Sequence, residues 1–180
     1  VNFTGPSTLT AGTNQTLTFG TGNVSFDGTT VATAGNDYGL SIGTGDLSFK
    51  GTSTVTAAKN AGFTVTTGKV TVDGTTRLTA TAENLGLTVG TGDVTFTGDT
   101  EMKAGTDQVL SIGKGKVSFA SAQGQQTLAT AGQDYKLSIT EGDLGFTGLS
   151  TLKGNRDTLI TIATGNTTVS RPTVIEATTP

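Results

Sequence analysis

The sequence predicts an all-β, single-domain parallel β-solenoid, and three observations carry that prediction. A unit of three short strands returns about every 23 residues along the chain, the period of an architecture built by stacking. Glycine is abundant, at 27 of 180 residues, while proline occurs only 3 times. That balance suits short strands joined by tight turns and disfavours helices. Only 33% of the residues are hydrophobic and 6% aromatic, which is marginal for a compact globule of this length but adequate for stacked coils.

The unit is clearest at residues 40–57, LSIGTGDLSFKGTSTVTA, which reads as strands LSI, DLSF and STVTA separated by the turns GTG and KG. Aligning every unit on its turns gives six columns of inward residues. The first strand supplies Leu17, Leu40, Phe63, Leu87, Leu110, Leu137 and Ile160, followed two residues later by Phe19, Ile42, Val65, Val89, Ile112, Ile139 and Ile162. A spacing of two keeps both columns on one face of the strand. The second strand supplies Val1, Val24, Leu47, Val70, Val94, Val117, Leu144 and Thr167, then Phe3, Phe26, Phe49, Val72, Phe96, Phe119, Phe146 and Val169. The third strand aligns as Leu9, Val31, Val55, Leu78, Met102, Leu128, Leu152 and Ile175, followed by small residues such as Ala11, Ala57, Ala80, Ala104 and Ala177.

No such unit can bury its apolar face alone, so consecutive units must stack in register. The single domain, 1–180, divides into a partial first coil (1–16) and coils starting at 17, 40, 63, 87, 110, 137 and 160. Coils about 4.8 Å apart give a rod roughly 34 Å long, triangular in section, with three parallel sheets. A propeller or β-sandwich would need longer strands joined by hairpins.

The turns are equally regular. Gly22, Gly45, Gly68, Gly92, Gly115, Gly142 and Gly165 recur in the first turn, where a positive φ is expected. Directly after them come Asn23, Asp46, Lys69, Asp93, Lys116, Asp143 and Asn166, whose alternating signs avoid repulsion between stacked like charges. The third turn carries Asn14, Asp37, Asn60, Asn84, Asp107, Asp134 and Asp157, read as a ladder of short side chains capping turn amides. Where three Asp follow one another, Asp107, Asp134 and Asp157 are calcium candidates, although the nonapeptide of calcium-binding β-rolls is absent. One connection, between Phe119 and Leu128, is three residues longer than its counterparts. Residues 120–127 should bulge there, making Ser121, Gln123, Gln125 and Gln126 the candidate partner loop; a tolerated surface insertion is the plainer reading.

Composition excludes several functions. The net charge of -3 is scattered singly, with no basic stripe for nucleic acid. With no Cys and no His, disulfides, thiolate metal sites and the usual general base are absent, and no cofactor is expected. No apolar run is long enough to cross a membrane. The GTG and GKG turns lead into strands and not helices, so they do not match phosphate-binding loops. The outward positions of the first strand are Thr18, Ser41, Thr64, Thr88, Ser111, Ser138 and Thr161, without the carboxylate pair of a glycosidase; no catalysis is expected. That single rank of hydroxyls raises ice binding as a weaker alternative, which would need two ranks side by side. Asn2, Asn14, Asn23 and Asn166 head N-glycosylation sequons. Tyr38 and Tyr135 are either sugar-contacting aromatics or packing residues over a corner.

The LSIGTGDLSFKG repeat resembles the passenger and shaft regions of bacterial surface β-solenoids, the autotransporter and filamentous-haemagglutinin-like adhesins. The resemblance implies an extracellular or cell-surface, non-enzymatic, bacterial rod with right-handed coils, supporting adhesion or a biofilm matrix. A carbohydrate-binding, phage-fibre or polysaccharide-lyase-like module with a glycan surface is the alternative. Neither end shows a capping element, and Val1, Phe3, Leu9, Val169, Ile175 and Ala177 would lie on open end faces. End-to-end self-association or continuation in a longer chain is therefore expected, with Pro172 and Pro180 adapting the carboxyl end.

Overall fold

The computed structural model describes residues 1–178 of the chain; Pro180 lies outside them. The described residues form 23 strands and no helix. Strands from successive coils assemble into three sheets, of seven, eight and eight strands for the first, second and third strand of each coil. All pairing is parallel, between each strand and its counterpart one coil on. One coil comprises Gln15–Thr21, Val24–Phe26 and Thr30–Ala34, after which Tyr38–Thr44 begins the next. The architecture is the predicted β-solenoid. The side-chain alternation in the sequence enforces it, because a slip of one residue would turn every core residue to solvent.

The first- and second-strand columns align as the sequence predicts. Leu17, Leu40, Phe63, Leu87, Leu110, Leu137 and Ile160 stand in register, and the Phe column stacks face to face. Ring centroids are 4.9 Å apart for Phe3–Phe26 and 5.1 Å for Phe26–Phe49, Phe96–Phe119 and Phe119–Phe146, with interplanar angles of 6–9°. The coil spacing itself sets this offset stacking, a favoured aromatic geometry. The column breaks at Val72, and the same coil carries Phe63 where its neighbours have Leu. Phe63 meets Phe49 edge-on at 6.1 Å, so bulk lost from one strand is restored from another within the coil.

The third-strand column needs correction at two places. Leu9 pairs with Ala32, and Ala32 with Val55. Met102 pairs with Ala129, and Ala129 with Leu152. The inward residues are therefore Ala32 and Ala129, each at most 1% exposed, while Val31 is 40% exposed and faces outward; Leu128 shares its outward register position with Glu101. The physical reason lies around the corner. In both coils a fully buried tyrosine, Tyr38 or Tyr135, stands at or next to the start of the following strand, and a small residue before the corner makes space for a ring of that size. Where the third strand supplies Val55, Leu78 or Met102, the next strand opens instead with Ala61, Leu85 or Gln108. The smallest third-strand residue thus accompanies the largest corner side chain, as close packing requires. Ala32→Leu is expected to destabilise by about 1–3 kcal/mol through overpacking, and Tyr38→Ala by about 3–5 kcal/mol through a cavity. The double variant should cost less than the sum, measured as coupling in urea denaturation.

Two further columns went unread in the sequence. Thr30, Ser53, Thr76, Thr100, Thr127 and Ser150 open the third strands and are buried. The position occupied by Tyr38, Ala61, Leu85, Gln108 and Tyr135 opens the first strands and is buried as well. Each complete coil thus points eight side chains inward rather than six: three, two and three from its successive strands.

Candidate functional site

The turns and outward faces are what this scaffold offers to solvent. Each recurring first-turn glycine has φ between 112° and 148°, as predicted. The residues after it form a hydrogen-bonded ladder. Asn23 Oδ1 accepts from the Asp46 amide at 2.9 Å, Asp46 Oδ1 from Lys69 at 2.8 Å, Asp93 Oδ1 from Lys116 at 2.9 Å and Asp143 Oδ1 from Asn166 at 3.0 Å. Short acceptors in this column thus tie one coil to the next, while Lys116 Nζ also approaches Asp143 at 3.6 Å. Solvent exposure makes that ion pair weak.

The third-turn ladder works the same way. Asn14, Asp37, Asn60, Asn84 and Asp107 each accept, through Oδ1, from the backbone amide of their counterpart one coil on, at 3.1–3.3 Å. At the calcium candidates the carboxylates are already engaged. Asp107 caps the Asp134 amide, and Asp134 is bound by Arg156 through Nε at 2.8 Å and Nη2 at 2.7 Å, and by Lys136 Nζ at 3.2 Å. The Asp157 side chain is 72% exposed. Among the described residues, no group of three or more acidic, His or Cys side chains is arranged to hold a metal ion.

The Arg156 hydrogen bonds, opposed by desolvation and reinforced by Lys136, hold the Asp134 carboxyl down to about 2. An unfolded Asp titrates near ~3.9, so the folded form is the weaker proton binder. Stability from this group is fully present above about pH 4 and is lost as pH falls toward about 2. An Arg156→Leu variant should show a flatter urea midpoint across that window.

The candidate loop is only partly available. Ser121 is 7% exposed and turned inward, where its hydroxyl meets Thr127 Oγ1 at 3.0 Å; it belongs to the corner and not to a recognition surface. Gln123 and Gln126 are exposed and Gln125 is half-buried. Gly124, at φ 84°, turns the loop, and the Gln125 amide closes it onto the Ala122 carbonyl at 3.0 Å. Because Ala129 and not Leu128 holds the inward position, the insertion is one residue longer than the sequence alignment gives.

Tyr38 and Tyr135 are 2% and 0% exposed, so neither can stack on a sugar. Burial pushes the Tyr38 hydroxyl up to about 12 and raises that of Tyr135 as well. A surface depression of about 620 Å³ is shallow and open; Lys116, Ser118, Asp143, Gly145, Asn166 and Thr168 line it, with no aromatic among its lining residues.

The outward hydroxyl rank of the first strands is in register as predicted. A broader array, missed in the sequence, covers the third-strand sheet. Thr10, Thr33, Thr56 and Thr79 stand in one rank, beside Thr8, Val31, Thr54 and Arg77 in the next. Correcting the register at Val31 is what brings this pair of ranks into view. Beyond them the same positions become Glu101 and Lys103, and the Arg77–Glu101 pair closes at 3.1 Å.

On the end faces, Val1, Val169 and Ile175 are 50–62% exposed. Phe3 and Leu9 are partly buried, and Ala177 is exposed. No protein-family model, curated protein or solved structure matches the chain.

Proposed function

We propose that this chain is a structural element, a β-solenoid rod that extends or supports an extracellular bacterial surface or matrix assembly, with its end faces covered by further coils. The continuity of the core is the observation that carries the reading. One hydrophobic cluster runs from Val24 to Leu152, with Phe3, Leu9, Leu17 and Phe19 packed on it at one end and Ile160 and Ile162 at the other. A further coil, from a second copy or a longer chain, fits those faces by the same column geometry and continues the same parallel hydrogen bonds. Light scattering tests the self-stacking form: particle mass should rise with concentration. A chain that stays monomeric at high concentration contradicts it.

A second reading, binding to ice, is favoured by the paired ranks on the third-strand sheet. Four coils present two adjacent columns of mainly β-branched side chains on a regular grid, about 4.8 Å by 6.7 Å. Thermal hysteresis that disappears in a Thr56→Lys variant supports this reading, and no hysteresis at millimolar protein removes it.

A further inference from the structure

Among the described residues eight buried side-chain polar atoms have no hydrogen-bond partner, and four of them form two matching pairs. Tyr38 Oη and Gln15 Oε1 form one, and Tyr135 Oη and Gln108 Oε1 the other; all four atoms are buried without a hydrogen bond. In both pairs the Gln occupies the position directly one coil before the Tyr in the same inward column. Tyr135, Tyr38 and Gln108 are at most 2% exposed, so bulk solvent does not compensate them. An orphaned buried polar group costs roughly 1–3 kcal/mol, yet the arrangement appears twice, nearly a hundred residues apart in sequence by the numbering of the residues themselves. Of the other unpartnered hydroxyls, Thr30, Ser53, Thr76 and Ser48, the last sits at the half-buried middle position of Leu47–Phe49 and the first three differ in kind. Their counterparts Thr100 and Ser150 bond to the carbonyl two residues earlier, a partner reached by rotating one side-chain bond.

We propose that each Tyr–Gln pair encloses a single buried water molecule, which accepts from the tyrosine hydroxyl and donates to the glutamine amide oxygen. Side chains at equivalent positions of adjacent coils are about 4.8 Å apart. That spacing is the backbone register; the two oxygens of each pair make no direct hydrogen bond, and a water meeting both completes two O–H···O bonds of ordinary length. The pair also offers complementary chemistry, a donor on one coil and an acceptor on the next. A polar pocket with two or more partners is where buried water is retained. The two waters act as polar rivets between coils, at points where the apolar columns alone would leave the tyrosine tips unsatisfied.

A crystal structure resolving individual waters tests this directly. The expected result is a density peak within hydrogen-bond reach of both Tyr135 Oη and Gln108 Oε1, repeated at Tyr38 and Gln15 and absent at the first site in Tyr135→Phe. Tyrosine hydroxyls that donate directly to protein atoms, or a gap without density, would overturn it. In parallel, Tyr135→Phe and Gln108→Leu should each lower the folding equilibrium constant on the order of tenfold, with the double variant losing less than the product of the two. Simple multiplication of the two losses contradicts the bridge. If either variant fails to fold, the wild-type density decides alone.

Discussion

Replacing Phe119 by Ala is expected to cost about 3–5 kcal/mol, a large share of the stability of most domains. Phe119 is fully buried and stacks on both Phe96 and Phe146, at 5.1 Å on each side. Its loss opens a cavity and breaks the aromatic column at an interior coil, where neighbouring backbones are fixed by parallel pairing on both sides. Phe3, partly buried and stacked only on Phe26, is the internal comparison. Phe3→Ala should cost distinctly less, and chemical denaturation of the two variants checks the order.

The second large effect is expected at the first-turn glycines. Gly115 has φ +148°, and a Cβ there would stand 2.0 Å from the Gly92 carbonyl oxygen. Backbone strain alone costs about 1–3 kcal/mol, and the clash is with main chain of the adjacent coil, which cannot move without loosening the ladder. Gly115→Ala should therefore lower the thermal midpoint clearly. Gly86 separates conformational need from mere frequency, because it has no positive φ and nothing within 4 Å of its would-be Cβ. Gly86→Ala should be close to neutral or stabilise by about 0.4–1 kcal/mol, through the unfolded state.

Much of this architecture was legible because a solenoid repeats its physics. Seven glycines at equivalent positions implied seven positive φ angles, and each is found. The Asx ladder was readable for the same reason, since a short acceptor three residues before each coil has few other uses. The misreadings at Val31 and Leu128 arose from taking the larger of two adjacent apolar residues as the inward one. A constant spacing would have prevented the first, since Leu9, Ala32, Val55, Met102 and Leu152 each stand six residues after Phe3, Phe26, Phe49, Phe96 and Phe146; the insertion breaks that count after Phe119, where Ala129 is marked instead by standing six residues before Tyr135, as Ala32 stands before Tyr38. The tyrosine downstream supplied a second signal, because a ring that large requires a small neighbour at the corner. The buried Ser and Thr column was hidden by its chemistry. Nothing in a Ser or Thr marks it as inward, and only the coil geometry shows that this column sits inside, with Thr100 and Ser150 bonded to carbonyls two residues back. The candidate site was less legible than the fold. Spacing placed Ser121, Tyr38 and Tyr135 in corners but did not say which way they face.

The central claim, that the chain works as a rod whose coil order continues across its end faces, is tested most directly by cryo-electron microscopy of the purified protein across a concentration series. The account predicts filaments one solenoid wide, with the axial repeat of about 4.8 Å running unbroken through each junction between copies. Isolated short rods at every concentration, with no density continuing the columns of Phe3 or Ile175, would contradict its self-stacking form.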